Sequence, residues 1–293
     1  MGISIEKERI AVSIANHADA TPKIVETVLL DMEESLDATL KKAIKKLSSS
    51  GYQAVVGLSM IDSKFHKIQK PNVPDEELDA SLPFLMKDSL SQSVDKSLVA
   101  CVSYPEGCRH DDQLMVIEVA KSRVSEIVDS LHDAGVKIAA IDVAELVIGD
   151  LFATQDEMAK GVAILAEHDT GVNLLLYRDH SLYLIRGIQD VPDLISCLPA
   201  PGNVQMADTL MLEIQRTLDY YDSLMGQPMP AQLYLVPSFA DLSPLAEHLD
   251  ANLAPSVSVL DLNELYSLPD VMDHGTQHDV LVAVAASMRR LHQ

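Results

Sequence analysis

Apolar positions along the first sixty residues alternate or cluster in the way that strands require. Gly2–Glu6, Arg9–Asn16 and Lys23–Asp31 are rich in Ile, Val and Leu and are separated by charged, Asn, Asp or Pro breaks. Leu36, Leu40, Ala43, Ile44 and Leu47 then fall at i, i+4, i+7, i+8 and i+11, which predicts a helix, with Gly51 as its stop. Ala54–Met60 is a continuous apolar run, the signature of a strand covered on both faces. The polar stretch Lys70-Pro71-Asn72-Val73-Pro74 marks a boundary. Beyond it, Leu78, Leu82, Leu85 and Met86 predict one face of a helix, Leu98–Tyr104 and Gln113–Val119 two strands. Val124, Ile127, Val128 and Leu131 predict a second helix ended by Gly135, and Val136–Asp142 a strand.

The opening rhythm then returns. Gly161–Glu167, Val172–Tyr177 and Leu182–Ile188 read as three strands with short turns, and Met206–Met225 as a long helix striped by Leu210, Ile214, Leu218 and Tyr221. A strand at Gln232–Val236, a helix at Leu242–Leu253, a strand at Val257–Leu260 and a helix at Val280–Leu291 follow. Three strands, a helix and a strand occur twice, so the chain is a diverged duplication with an insertion in its first copy. The expected division is a first half at 1–74, an inserted α+β subdomain at 75–143, a returning helix at 144–160 and a second half at 161–293.

Composition narrows the chemistry. The 293 residues hold 22 Lys and Arg against 44 Asp and Glu, a formal charge of -22, and 47% are hydrophobic. That is enough to bury a core, so the acidity is not a sign of disorder. Unassisted nucleic-acid binding and attachment to an anionic membrane are disfavoured, because both draw on clustered Lys and Arg. Three cysteines without metal spacing fit a reducing compartment. No apolar run is long enough for a membrane span, and the start shows neither a signal peptide nor an acylation pattern. A soluble, cytoplasmic-type protein is the expectation.

Three passages carry a resemblance: Ser122–Phe152, SRVSEIVDSLHDAGVKIAAIDVAELVIGDLF; Leu212–Tyr221, LEIQRTLDYY; and Asp75–Tyr104, DEELDASLPFLMKDSLSQSVDKSLVACVSY. The first two resemble the PilM and FtsA branch of the actin-like ATPases, and the third resembles the MSHA-type pilus biogenesis proteins (MshI) of that branch. The resemblance implies an α/β, actin-like (ribonuclease H-like) fold of two β-β-β-α-β-α halves, with a small α+β subdomain in the first. It also implies a cytoplasmic component of a type IV pilus platform that captures the cytoplasmic tail of a PilN-like inner-membrane protein. The pilus assembly ATPase is a further implied partner, and a homodimer stays open.

Such folds hold ATP between their halves on three glycine-bearing turns, where the backbone meets phosphate. In the first, the family's Asp-x-Gly aligns with Ser4-Ile5-Glu6, which removes a metal-organising carboxylate and sets an anionic side chain beside the phosphates. The second survives as Asp169-Thr170-Gly171. The third has Pro237-Ser238 in place of a glycine pair, and Pro offers no N–H. Glu213 and Arg216 match family positions that reach ribose and adenine. Without the resemblance, Asp169-Thr170-Gly171 is ordinary hairpin chemistry and Glu213 with Arg216 a solvated i,i+3 pair. The expectation is a vestigial nucleotide site comprising Asp169, Thr170, Gly171, Glu213 and Arg216, with no metal site, catalytic residue or obligatory cofactor. ATP with magnesium is the alternative.

Two other constellations read as structural. Asp273–Asp279 spaces His274 and His278 by four between carboxylates, but Gly275 is expected to break a helix there and leave a surface loop. Cys108-Arg109-His110-Asp111-Asp112 is local adjacency in a turn rather than convergent catalytic geometry. The Lys41-Lys42 and Lys45-Lys46 pairs are the one basic cluster and read as a helix's solvated face. Two functions remain: a non-catalytic adaptor, and an ATP-binding switch of the same fold whose nucleotide state tunes partner binding. The partner tail is expected to contribute Lys or Arg to this acidic surface.

Overall fold

A computed structural model describes residues 1–47, 51–105, 108–109, 112–200, 204–223 and 225–290. It opens with β1 (Gly2–Ile5), β2 (Arg9–Asn16) and β3 (Lys23–Asp31), then α1 (Leu36–Lys46) and β4 (Gln53–Leu58). Next come β5 (Ser63–Gln69), α2 (Asp75–Leu85), β6 (Ser97–Ser103), β7 (Gln113–Ala120), α3 (Lys121–Asp133) and β8 (Lys137–Val143). α4 (Ala144–Val147), a 3-10 turn at Ile148–Phe152 and α5 (Glu157–Lys160) lead to β9 (Val162–His168), β10 (Gly171–Arg178) and β11 (Ser181–Gly187). The chain closes with α6 (Gln205–Ser223), β12 (Gln232–Leu235), α7 (Ser243–Asp250), β13 (Ser256–Val259), α8 (Leu262–Leu265) and α9 (His274–Met288).

Two five-stranded sheets repeat one plan. The first runs β3-β2-β1-β4-β8 and the second β11-β10-β9-β12-β13. In each, an antiparallel meander of three strands is extended by two parallel ones, so the duplication read from the sequence is the architecture. A third sheet, β5-β7-β6, carries α2 on one face, where Leu78, Leu82 and Met86 pack on Leu114 and Val116.

The inserted block is drawn differently from 75–143. Ser63–Gln69 pairs with β7, so the third sheet begins before the Pro71–Pro74 stretch. Lys137–Val143 pairs with β4, so it belongs to the first sheet. β5 escapes a pattern search because Lys64, His66 and Lys67 interrupt its apolar positions. Leu85 was expected on the buried face of α2 and is 56% exposed. α1 ends at Lys46 with Leu47 as an extended cap, so Gly51 is not its stop.

The first sheet is covered on both sides because its strands alternate large with small. Ile3, Ile5, Ile10 and Val12 face α1 and α3. Gly2, Ser13 and Gly57 lie against α9. A Cβ on Gly2 would stand 2.0 Å from the Ala283 carbonyl oxygen, and one on Gly57 2.5 Å from Val282 Cγ1. That face is built for a helix to approach closely, and α9 supplies Ala283, Ala285 and Ala286. α9 itself begins at His274, earlier than its apolar run suggested. Asp273 caps it, its Oδ1 accepting from the Thr276 N–H (2.7 Å). Gly275 therefore sits inside the first helical turn and breaks nothing, since glycine there forfeits only propensity. Although last in sequence, α9 completes the first half.

The segment after β8 joins the halves. The Tyr177 hydroxyl donates to the Glu145 carbonyl (2.5 Å), the Tyr266 hydroxyl donates to the Leu151 carbonyl, and Phe152 stacks on Tyr234 with centroids 5.2 Å apart. Glu145 is buried there, and burial pushes its carboxyl up to about 7, against a weak hydrogen bond from Ser63 Oγ (3.4 Å).

Candidate functional site

A cleft of about 710 Å³ separates the halves. Its walls are the turn after β1 (Glu6, Lys7, Glu8), Ser59 beyond β4, Glu167–Asp169 at the end of β9, Val236 and Phe239 after β12, and His278 and Asp279 on α9. The duplicated plan brings these together, because each sheet sends the ends of its first and fourth strands toward the other.

The electrostatics of the cleft are acidic. Glu6, Glu8, Glu167, Asp169, Asp193 and Asp279 line it, against Lys7 and Arg9 as cations. Arg9 is already committed: it pairs closely with Asp279 and reaches Asp31 at 3.4 Å. Burial raises the Glu6 carboxyl, with Asp62 and Asp169 adding to the shift while a Ser59 hydrogen bond and Arg123 oppose it. Arg123, which opposes that rise, bonds Asp62 (3.1 Å) and the Ile5 carbonyl (3.4 Å). A triphosphate entering here would meet a lining in which carboxylates outnumber Lys and Arg six to two.

The five residues expected at the site separate into three places. Asp169 lines the cleft. Thr170 and Gly171 line a shallow neighbouring depression of about 540 Å³ with Asn173, Gln189 and Asp190. The turn there is a tight β9–β10 connection in which Gly171 takes φ +150° and Thr170 donates to His168 Nδ1. Glu213 and Arg216 line neither space. They form an i,i+3 ion pair on α6 (2.5 Å), with Arg186 of β11 at 3.7 Å from Glu213. Glu213 is nine-tenths buried while the Arg216 side chain is mostly exposed, so only the acid departs from the solvated pair its spacing suggested. On the same helix, Leu210, Ile214, Leu218 and Tyr221 are core, and Tyr221 meets Tyr183 edge-on at 6.0 Å.

Pro237, read as a lost phosphate donor, has a second role. Its carbonyl accepts from His278 Nδ1–H (2.9 Å), tying the third turn to α9. Next to it, Phe239 lies 5.0 Å from the His278 ring and 5.6 Å from the Arg9 guanidinium. Sequence reasoning passed over Arg9 and Phe239, which match no motif, and weighed His278 only as one of a spaced pair with His274, because these three residues lie far apart in the chain. The Cys108–Asp112 passage falls partly outside the described residues; Cys108 is buried, and Arg109 donates to the Ser223 carbonyl (2.6 Å), joining the inserted block to α6.

No protein-family model matches the chain, and no curated protein matches it. Solved structures do. A chain of the PilM–PilN type IV pilus biogenesis complex superposes with a TM-score of 0.71 at 15% identity, over 98% of this chain and 97% of that one. The cytoplasmic domain of EpsL, an inner-membrane component of the Vibrio cholerae type II secretion system, gives 0.54 at 12% identity, over 99% and 95%. A Bacteroides thetaiotaomicron protein with an actin-like ATPase fold and unknown function gives 0.50 at 10%, over 97% and 94%. The fold is actin-like. Among the described residues, no helix is long and apolar enough to cross a membrane.

Proposed function

We propose that this chain is a non-catalytic, PilM-like adaptor that binds the cytoplasmic tail of a PilN-like inner-membrane protein in a type IV pilus platform of the MSHA type. It works at the cytoplasmic face, held to the inner membrane by its partners. The observation that carries this reading is the acidic cleft, in which Glu6 occupies the turn that a phosphate would approach and Arg9 is paired away. Full-length likeness to a chain of the PilM–PilN complex supports the partner class. The pilus assembly ATPase and a second copy of the chain are further partners in the same proposal.

The inserted sheet offers a landing surface for an extended tail. β6, SLVACVS, is an edge strand of seven residues without a charge, whereas the opposite edge, β5, carries Lys64, His66 and Lys67. Charged residues commonly guard edges against pairing, so an unguarded one is open to strand addition. Beside it, α2 exposes Glu76, Glu77 and Asp79, with Asp79 accepting from Cys101 Sγ (3.7 Å), which favours a basic tail. The test is calorimetric titration with the partner's tail peptide at low and high salt. Saturable binding that weakens with salt supports the adaptor; a flat titration at both salts removes it.

The second reading, an ATP-binding switch, is favoured by Asp169 standing in the cleft. Titration with ATP and magnesium separates the two. Micromolar saturable heat with a rise in melting temperature would install the switch, and a flat trace at millimolar ATP supports the adaptor.

A further inference from the structure

The cleft is bridged at its rim by side chains of the chain itself. Phe239 follows β12 in the second half and is 63% exposed, yet its ring is seated on three residues of the first. Arg9 of β2 stands over it at 5.6 Å, and the His278 ring of α9 lies at 5.0 Å, tilted by 58°. A Cβ on Gly275 would lie 3.0 Å from Phe239 Cδ1, so the glycine in the first turn of α9 gives the ring its seat. Arg9 is held in place by Asp279, one residue beyond His278, and His278 also binds the Pro237 carbonyl (2.9 Å).

We propose that Phe239, clasped by Arg9, His278 and Gly275, is a latch that holds the two halves closed without a ligand. These contacts cross the mouth of the cleft between halves already joined elsewhere by the Tyr177, Tyr266 and Phe152 contacts, so they act on how wide that mouth stands. The proposal concerns the relative position of the halves and holds whether or not the partner assignment above is right. An exposed cation–π contact is worth roughly 0.5–1 kcal/mol and a ring pair about as much, so together they bias closure by roughly five- to thirty-fold. Because Phe239 is mostly exposed, replacing it removes little core and should leave the fold intact.

The test places nitroxides at Glu34→Cys in the first half and Glu247→Cys in the second, both exposed, in a Cys101→Ser background, and measures their separation by pulsed electron resonance. The parent should give one narrow distance that millimolar ATP and magnesium do not move. Phe239→Ala and Arg9→Gln should each add a longer distance, with the open population raised roughly five- to thirty-fold by Phe239→Ala. Gly275→Val, which wedges the ring from its seat, should do the same, while Phe239→Tyr, which keeps the ring, should match the parent. A distribution identical to the parent in Phe239→Ala, Arg9→Gln and Gly275→Val overturns the latch. So does a parent that is already broad, or a Phe239→Tyr shift as large as that of Phe239→Ala.

Discussion

The two five-stranded sheets share one strand order but carry different turns at the cleft. After β9 the chain makes a short connection, Asp169-Thr170-Gly171, in which Gly171 supplies the unusual backbone angle. After β1 the corresponding turn is Glu6-Lys7-Glu8, closed by the Glu6 N–H donating to the Arg9 carbonyl (2.9 Å). Both hairpins form. The sheets depend on alternation within strands, Ile3 and Ile5 against Gly2 and Ser4, and that alternation is indifferent to what the turn offers a ligand. Turn chemistry can therefore differ between the halves while the architecture stays.

The largest test of this contrast attacks the first sheet's small-residue face. Gly57→Val should cost about 3 kcal/mol or more, since its branches must displace Val282 and Val147, and chemical denaturation would read the loss. Next comes Glu145, buried where the halves join. Raising its carboxyl from 4.5 to about 7 means its contribution is fully present below pH 4.5 and disappears as pH climbs to about 7. Glu145→Gln should gain up to about 3 kcal/mol at pH 8 and flatten the stability profile between those limits; unchanged denaturation curves at pH 8 would contradict the burial argument. Smaller still, Glu6→Gly makes the first turn resemble the second and should strengthen any ATP binding by about fivefold, the removal of roughly 1 kcal/mol of like-charge repulsion. Least of all, Asp169→Ala should leave tail-peptide affinity unchanged by calorimetry; a tenfold loss there would favour the switch.

Much of the architecture was legible because both sheets obey simple alternation. β2 and β3 fall where their apolar positions place them, and the doubled β-β-β-α-β order announces the fold class. What failed was local where tertiary contacts decide. β5 is a strand because β7 pairs with it, despite its lysines and histidine. Gly275 looked like a breaker and is a helical residue chosen for the ring above it. The cleft was legible at Ser4, Glu6 and Asp169, through alignment with a family pattern, while His278 was noticed only for its spacing from His274. Phe239 and Arg9 meet across the fold, and no periodicity links positions so far apart.

One consequence of α9 concerns synthesis. The helix that completes the first sheet emerges from a ribosome only after the whole second sheet has been made, and Gly2 waits for Ala283 to arrive before its strand is covered. Until then the small-residue face of β1, β2 and β4 has no lid, so the first half of this chain cannot finish folding first, as domains made in order usually do. Strand β1 is sealed by a helix about 270 residues further along the chain, so native assembly has a long loop to close and comes late.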